Sequence, residues 1–406
     1  IPTTKHITVM STHNNVSAVA WGIRAGDPIT VDAIPDAVDV TGPVWLTPAV
    51  FETELENIDF DLKATDSGNI TYTISSGSLP TGVKLLLNGK ITGTAATAGP
   101  ASVTFTATDE SGNSTDLVAT VAIGGIAVGG TKTKVDGYVI HTFTNNDDFE
   151  LFADVDVELL MVGGGGGGGG DNSGGGGAGG LIYYGAESPA VAASLALTVG
   201  TYPVVIGAGG SGSPAVNTQA SNGGNTTFNS LTALGGGYGA TGDGGTGYNG
   251  NAGGSGGGGA SEGSSGTAGA GNQPSTLGFG NAGGNSADGA GGGGGGAGGV
   301  GQAGDVRGNQ LGGDGGAGIR YSISGTPSWY AAGGNGGNEN GNFNQRPSVN
   351  GIGGRTNADG SAGTIDAVDG TGSGGGGVTH STSGSSAKGS YGSYGGSGIV
   401  VIRYAA

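Results

Sequence analysis

Cysteine is absent from this 406-residue chain, so no disulfide framework exists and the redox state of its compartment cannot be read. Basic residues are scarce. Thirteen Lys and Arg stand against 31 Asp and Glu, and the net charge of −18 removes the attraction that nucleic acid or an anionic membrane surface rewards. No stretch of about 18 apolar residues is present, so no spanning helix and no membrane insertion is expected. The patterns of catalysis are missing as well: the chain carries no nucleophile elbow, no phosphate loop and no recognisable carboxylate pair. Its four histidines, His6, His13, His141 and His380, are scattered without metal-pair spacing. An enzyme is therefore not expected. The sequence opens at Ile1 with no visible signal peptide, which reads as a processed product or an excerpt.

What is abundant is glycine, 100 residues or about a quarter of the chain against about 7% in average proteins. Only 13 prolines accompany it and its phase drifts, which excludes a collagen triple helix. A flexible linker is a poor fit too, because apolar strand patterns interrupt the glycine-rich region. The informative feature is local phase. Gly244, Gly247, Gly250, Gly253, Gly256 and Gly259 stand three apart, as do Gly289, Gly292, Gly295, Gly298, Gly301 and Gly304. A polyproline II helix has three residues per turn, so each series places glycine along one edge. Edges without side chains let backbones approach closely enough to hydrogen-bond with one another, which predicts a bundle of such helices.

Three zones follow from composition. Residues 1–43 hold short β-like runs and a connector marked by Pro28, Pro35 and Pro43. Residues 44–124 carry short strand patterns at regular intervals, among them 83–87, 90–93, 102–108 and 116–123, with Asn88-Gly89 as a hairpin signal. About seven strands in so short a span predict an Ig-like β-sandwich. Residues 135–406 open with strand patterns at 137–144 and 149–162, pass through Gly163 to Gly170, and close on the apolar run 399–404. Two β-forming ends around a glycine interior predict a β base whose first and last strands meet. The fold class expected is mainly β: an Ig-like sandwich, then a β base carrying a glycine-rich polyproline II bundle.

The segments Ser78-Leu79-Pro80-Thr81-Gly82-Val83, Leu87-Asn88-Gly89-Lys90-Ile91-Thr92-Gly93 and Phe105-Thr106-Ala107-Thr108-Asp109-Glu110-Ser111-Gly112-Asn113 occur in the order found in the Ig-like, cadherin-like repeat of bacterial and phage surface proteins. That resemblance implies a spacer module. Further on, Asp136-Gly137-Tyr138-Val139-Ile140-His141, Val157-Glu158-Leu159-Leu160-Met161-Val162, Tyr202-Pro203-Val204-Val205-Ile206-Gly207, Ser328-Trp329-Tyr330-Ala331-Ala332 and Gly398-Ile399-Val400-Val401-Ile402-Arg403-Tyr404 resemble, in order, the glycine-rich domain of phage tail proteins. The architecture is also similar to the polyglycine-sandwich adhesin at the fibre tips of some phages. These resemblances imply a virion surface protein, a tail-fibre or spike component whose partners are other virion subunits and a host cell-surface receptor, either a glycan or an outer-membrane protein. A purely structural decoration or fibre subunit and a bacterial surface adhesin are the alternatives.

Binding residues are expected on loops held by the rigid scaffold. Tyr238, Tyr248, Phe279, Phe343, Arg346, Tyr391 and Tyr394 are the candidates, because aromatic rings stack on sugars while guanidinium groups and amides bond hydroxyls. The bland alternative is that these rings plug the ends of the bundle. Tyr183, Tyr184, Trp329 and Tyr330 sit inside apolar motifs and are expected to pack. Asp66, Asp109, Glu110 and Asp116 lie in or beside turns of the Ig-like segment and are the candidate calcium ligands, with solvated turn carboxylates as the alternative. No other cofactor is expected.

Overall fold

The computed structural model describes residues 5–6, 10–12, 15–17, 29–30, 39–53, 58–96, 99–215, 218–242, 248–261, 265–287, 289–305, 311–338, 349–356, 364–378 and 391–406. The chain divides into two compact units, Ile1–Ile126 and Ala127–Ala406. Near the start of the first, Lys5–His6 pairs in parallel with Ile29–Thr30, and Met10–Thr12 pairs antiparallel with Asn15–Ser17.

The Ig-like part of the first unit is built on the long hairpin of Gly99–Thr108 and Ser114–Ile123, which pair in register from end to end. Alternate residues of Gly99–Thr108 are buried, as a half-buried strand requires. Thr71–Gly77 adds on one side and Val50–Thr53 pairs in parallel on the other, making a four-stranded sheet. The second sheet is Val83–Leu85, Lys90–Gly93 and Ile58–Asp61. Between the sheets lie Phe51, Tyr72, Ile91, Val103, Phe105 and Val121, with Phe51 stacked on Phe60 at 4.3 Å. The Asn88-Gly89 turn stands where the sequence places it: Gly89 adopts φ 88°, and a side chain there would collide with the Tyr72 ring.

In the second unit, Tyr138–Phe143 pairs antiparallel with Ile399–Ala405, so the first and last strand patterns of the glycine-rich region do meet. The sheet runs Thr131–Val135, Tyr138–Phe143, Ile399–Ala405, Val155–Val162 and Leu181–Tyr184, with Leu195–Leu197 beside the start of Val155–Val162. A five-stranded sheet of Ala127–Val128, Asp147–Leu151, Gly200–Val205, Thr226–Phe228 and Leu231–Ala233 accompanies it. His141, Phe143, Phe149 and Phe228 meet in a chain of edge-on rings. A second apolar cluster gathers Ile140, Leu160, Val401, Tyr183, Tyr321 and Tyr330. Both faces of the closing strand are thus covered, which is why residues 399–402 are apolar without alternation.

Two expectations need correction. The pattern 149–162 is two strands in different sheets, Asp147–Leu151 and Val155–Val162. The chain bends between them where the Asp154 carboxylate accepts the Val199 N–H at 2.8 Å. Trp329, expected to pack, is 37% exposed, whereas its neighbour Tyr330 is buried. Both lie on the strand Ser328–Tyr330, whose period of two sends successive side chains to opposite faces.

The glycine interior is neither helix nor ladder. Residues 163–180 are buried throughout, and their hydrogen bonds repeat every third residue. The N–H groups of Gly163, Gly166 and Gly169 donate to the carbonyls of Gly180, Gly177 and Gly174. Those of Gly164 and Gly167 go to Gly224 and Ser221, and those of Gly165 and Gly168 to Gly396 and Ser393. One extended segment is thereby bonded to three neighbours in rotation. Close approach explains the composition. A Cβ on Gly166 would meet the carbonyl of Gly237, and one on Gly168 the carbonyl of Gly376, both inside van der Waals contact. Glycine loses more entropy on ordering than other residues, roughly 1–2 kcal/mol of backbone per residue, and the dense bonding between segments offsets that cost.

Candidate functional site

The central segments 163–170 and 174–180 run from the strand Val155–Val162 to a turn and back to the strand Leu181–Tyr184. Asp171 and Asn172 make this turn with φ of 51° and 35°, conformations that Asn and Asp tolerate better than other side chains. Asp171, Asn172 and Ser173 are all buried there. The Ser173 hydroxyl donates to Gly169 O at 2.7 Å and accepts the Val378 N–H at 2.7 Å.

This turn is a meeting point for the ends of several neighbouring segments. Gly242 N donates to Asp171 O at 3.1 Å, Ser261 N to Asn172 O at 3.2 Å, and Gly337 N to Ser173 O at 2.8 Å. Gly289 N donates to the Ser261 hydroxyl at 3.1 Å, and Ala290 forms a backbone bridge with Asn338. Gly242, Ser261, Asn338 and Val378 are each the last described residue before a segment at 243–247, 262–264, 339–348 or 379–390. These described segment ends therefore gather around Asp171–Ser173, at the end of the bundle away from the β sheets. The surroundings of the turn are polar: Thr241, Ser261, Ser286 and Asn338 are buried with it.

The expected binding residues separate by position. Tyr248 is half-buried near this end, its carbonyl accepting Ala260 N at 2.9 Å. Tyr238 is half-buried along the flank, with its hydroxyl donating to Gln219 Oε1 at 3.3 Å. Tyr391 and Tyr394, three apart on the last glycine segment, are each 57% exposed. A three-residue period puts them on one edge. Phe279 is elsewhere. Its backbone exchanges two hydrogen bonds with Leu181 at the β base and its ring packs on the apolar cluster there, so it lies far along the bundle from the loop ends. Phe343 and Arg346 lie outside the described residues, as do His13 and His380.

The edges of the bundle are closed by side chains that the sequence reading missed. Asn222 Oδ1 accepts Tyr238 N at 3.0 Å and Asn225 Oδ1 accepts Gly235 N at 2.8 Å. Asp366 and Asp369 do the same for Tyr394 N and Ser397 N, at 2.8 and 3.0 Å. The signal was present as Asx residues three apart.

The four candidate calcium ligands do not act together. Glu110 accepts from Asn69 Nδ2, and Asp116 from the Thr106 hydroxyl, both at 2.6 Å. Asp66 and Asp109 instead converge with Asp39, which the sequence reading passed over, and one carboxylate oxygen from each lies within 4.8 Å of the other two. Among the described residues no other group of three such side chains comes together, and no helix is long and apolar enough to cross a membrane.

In the β base, His141 is fully buried. Its Nδ1 lies 2.7 Å from Gly129 O, so this nitrogen carries the proton and donates it, leaving Nε2 to accept from the Tyr404 hydroxyl at 3.2 Å. Burial holds the imidazole well below its usual pKa, at about 4. Burial likewise pushes the Tyr183 hydroxyl up to about 12. Both groups lie within the packed β base.

No curated protein matches the chain. Two family models do match it: one described as "Putative Ig domain" over residues 38–124, and one described as glycine-rich domain over residues 146–405. The match to the Ig model begins just before Asp39 and takes in the whole sandwich. The match to the glycine-rich model runs from the loop before Asp147–Leu151 to the last strand, covering the bundle and most of the sheets that carry it, and the chain belongs to that glycine-rich domain family.

Proposed function

We propose that this chain is a subunit of a fibre or spike on the surface of a virion, and that its glycine-rich unit is a non-enzymatic adhesin head holding a receptor on the host cell. An Ig-like module followed by a glycine-rich domain suits a structural protein of fibre or adhesin type. The observation that carries the finer reading is the convergence of segment ends around Asp171–Ser173. A bundle whose close-packed interior admits little beyond glycine, alanine and serine varies mainly at its edges and ends, and here several described segment ends share one place. Recognition groups gathered on such a rigid support lose little entropy on binding. Tyr248 near that end and the exposed edge of Tyr391 and Tyr394 supply rings suited to a glycan or to a loop of an outer-membrane protein. The Ig-like unit serves as spacer, and other virion subunits hold the chain in place. Nucleic acid is not a partner in this reading, since the net charge of −18 opposes it.

The test compares binding of the full chain to candidate host cells with that of a variant carrying Tyr248→Ala, Tyr391→Ala and Tyr394→Ala. Loss of cell binding in a variant that keeps the parent's circular dichroism and melting temperature is the expected result. Absence of binding by the parent to every host tried would replace the adhesin with a purely structural fibre or decoration subunit. Equal binding by both proteins would move the receptor face away from these tyrosines.

A further inference from the structure

We propose that Asp39, Asp66 and Asp109 form a calcium site in the Ig-like unit. The three residues come from separate parts of the sequence: the stretch before the first strand of the sandwich, the turn after Ala64–Thr65, and the turn of the long hairpin. Folding brings one carboxylate oxygen of each within 4.8 Å of the other two. Calcium–oxygen distances of about 2.3–2.6 Å give a coordination shell about 4.6–5.2 Å across, so three oxygens this close can share one ion.

The surrounding hydrogen bonds fix the carboxylates without neutralising them. Asp39 Oδ1 accepts from the Thr41 hydroxyl and N–H at 2.7 and 3.0 Å, and its Oδ2 from the Ser67 hydroxyl at 3.2 Å. Asp109 accepts Asn113 N at 2.8 Å and Asn113 Nδ2 at 2.9 Å, and the same Nδ2 reaches Asp39 O at 2.9 Å, tying two of the ligands together. All these donors are neutral. They orient three like charges toward one another and supply no counter-charge, an arrangement that is unfavourable unless a cation completes it.

A second observation points the same way. Asp66 Oδ1 accepts Ser67 N at 2.6 Å, but Asp66 Oδ2 is buried and accepts no hydrogen bond. A buried carboxylate oxygen without a donor carries a desolvation penalty that nothing in the surrounding protein repays. An ion bound at that oxygen repays it. Oxygen-only donors and three negative charges suit a hard divalent cation, and a site left partly open to solvent lets water complete the six to eight ligands that calcium takes.

The experiment is calorimetric titration of the chelator-treated full chain with calcium chloride, repeated on Asp66→Asn, on Asp39→Asn and on the control Asp116→Asn. Asp66→Asn and Asp39→Asn leave the Asp109–Asn113 turn intact. The expected result is one site whose affinity falls at least about tenfold in each of the two ligand variants, a loss already typical for partners one shell further out. The control binds as the parent does. Absence of calcium binding by the folded parent overturns the proposal. So does uptake that persists undiminished in both ligand variants, which would belong to the general acidic surface.

Discussion

Glu158 and Arg403 stand directly opposite each other in the register of the antiparallel pair Val155–Val162 and Ile399–Ala405, and their side chains form an ion pair that also donates through Arg403 Nε at 3.0 Å. Only 13% and 17% of the two side chains is exposed. Arg403 further donates to Ser322 O at 3.3 Å and lies 4.7 Å over the Tyr138 ring, so it joins three elements of the base at once. Removing one member of such a pair leaves the other as an uncompensated, largely buried charge. Arg403→Met should therefore destabilise the glycine-rich unit by about 3–5 kcal/mol, measured by denaturant unfolding. Adding Glu158→Leu should recover much of that loss. A double variant as unstable as the single would mean that Arg403 acts through its other contacts.

His141 gives the base a pH dependence. The imidazole is neutral in the fold because burial depresses its pKa to about 4, whereas in the unfolded chain it titrates at about 6.5. Above pH 6.5 the residue is neutral in both states and its contribution is fully present. As the pH falls below 6.5 the unfolded chain binds a proton that the folded chain refuses, and stability is lost until the folded residue itself titrates near 4. The gap is worth about 3 kcal/mol in all. Comparison with His141→Gln should show the wild type losing about 2–3 kcal/mol more than the variant between pH 7 and 4.5. Parallel pH profiles would show that His141 does not titrate in this way.

Glycine is required by contact, not by composition. Gly166→Ala would place a methyl group against the carbonyl of Gly237, between segments that cannot separate without breaking their hydrogen bonds to others. The expected cost is about 3 kcal/mol or more. Gly200→Ala is the contrast. The nearest atom to its added Cβ, on the Tyr202 ring, lies 3.9 Å away, and the substitution should be neutral or slightly stabilising. Calorimetry of both variants tests the distinction, which fails if the two melt alike.

The parts of this fold that the sequence disclosed are those set by local rules. The strand pattern at 102–108 marked Gly99–Thr108, the apolar run at 399–404 marked Ile399–Ala405, and the glycine phase at 244–259 anticipated bonding at every third residue, as of Gly250 and Gly253 N to Thr267 and Ala270 O. What stayed hidden depended on contacts between distant segments. The bend before Val155 is visible only once Val199 is known to bond Asp154. Asp39 looked like connector until the sandwich brought it to Asp66 and Asp109. Phe279 read as a loop aromatic because nothing local shows that its backbone pairs with Leu181. One signal was local and still overlooked: Asp136-Gly137 is a hairpin turn, with φ of 51° and 81°, and it joins Thr131–Val135 to the base sheet.

The closed edges of the bundle yield the last prediction. An outermost glycine segment points one N–H in three away from its neighbours, and a row of such donors would invite pairing with another chain. Asn222 and Asn225, three apart, cover Tyr238 N and Gly235 N on an adjacent antiparallel segment, and Asp366 and Asp369 cover Tyr394 N and Ser397 N on a parallel one. Amide and carboxylate thus do the same work in both directions, so the requirement is an acceptor of the right length rather than a particular residue. Asn222→Asp and Asn225→Asp should each leave stability within about 0.5 kcal/mol of the parent, whereas Asn222→Ala and Asn225→Ala should each cost about 1 kcal/mol. The paired alanine variant, with two adjacent N–H groups uncovered, should also self-associate at high concentration in sedimentation velocity while the paired aspartate variant stays as the parent is. If the alanine and aspartate pairs match in both stability and association, water caps these donors as well as the side chains do.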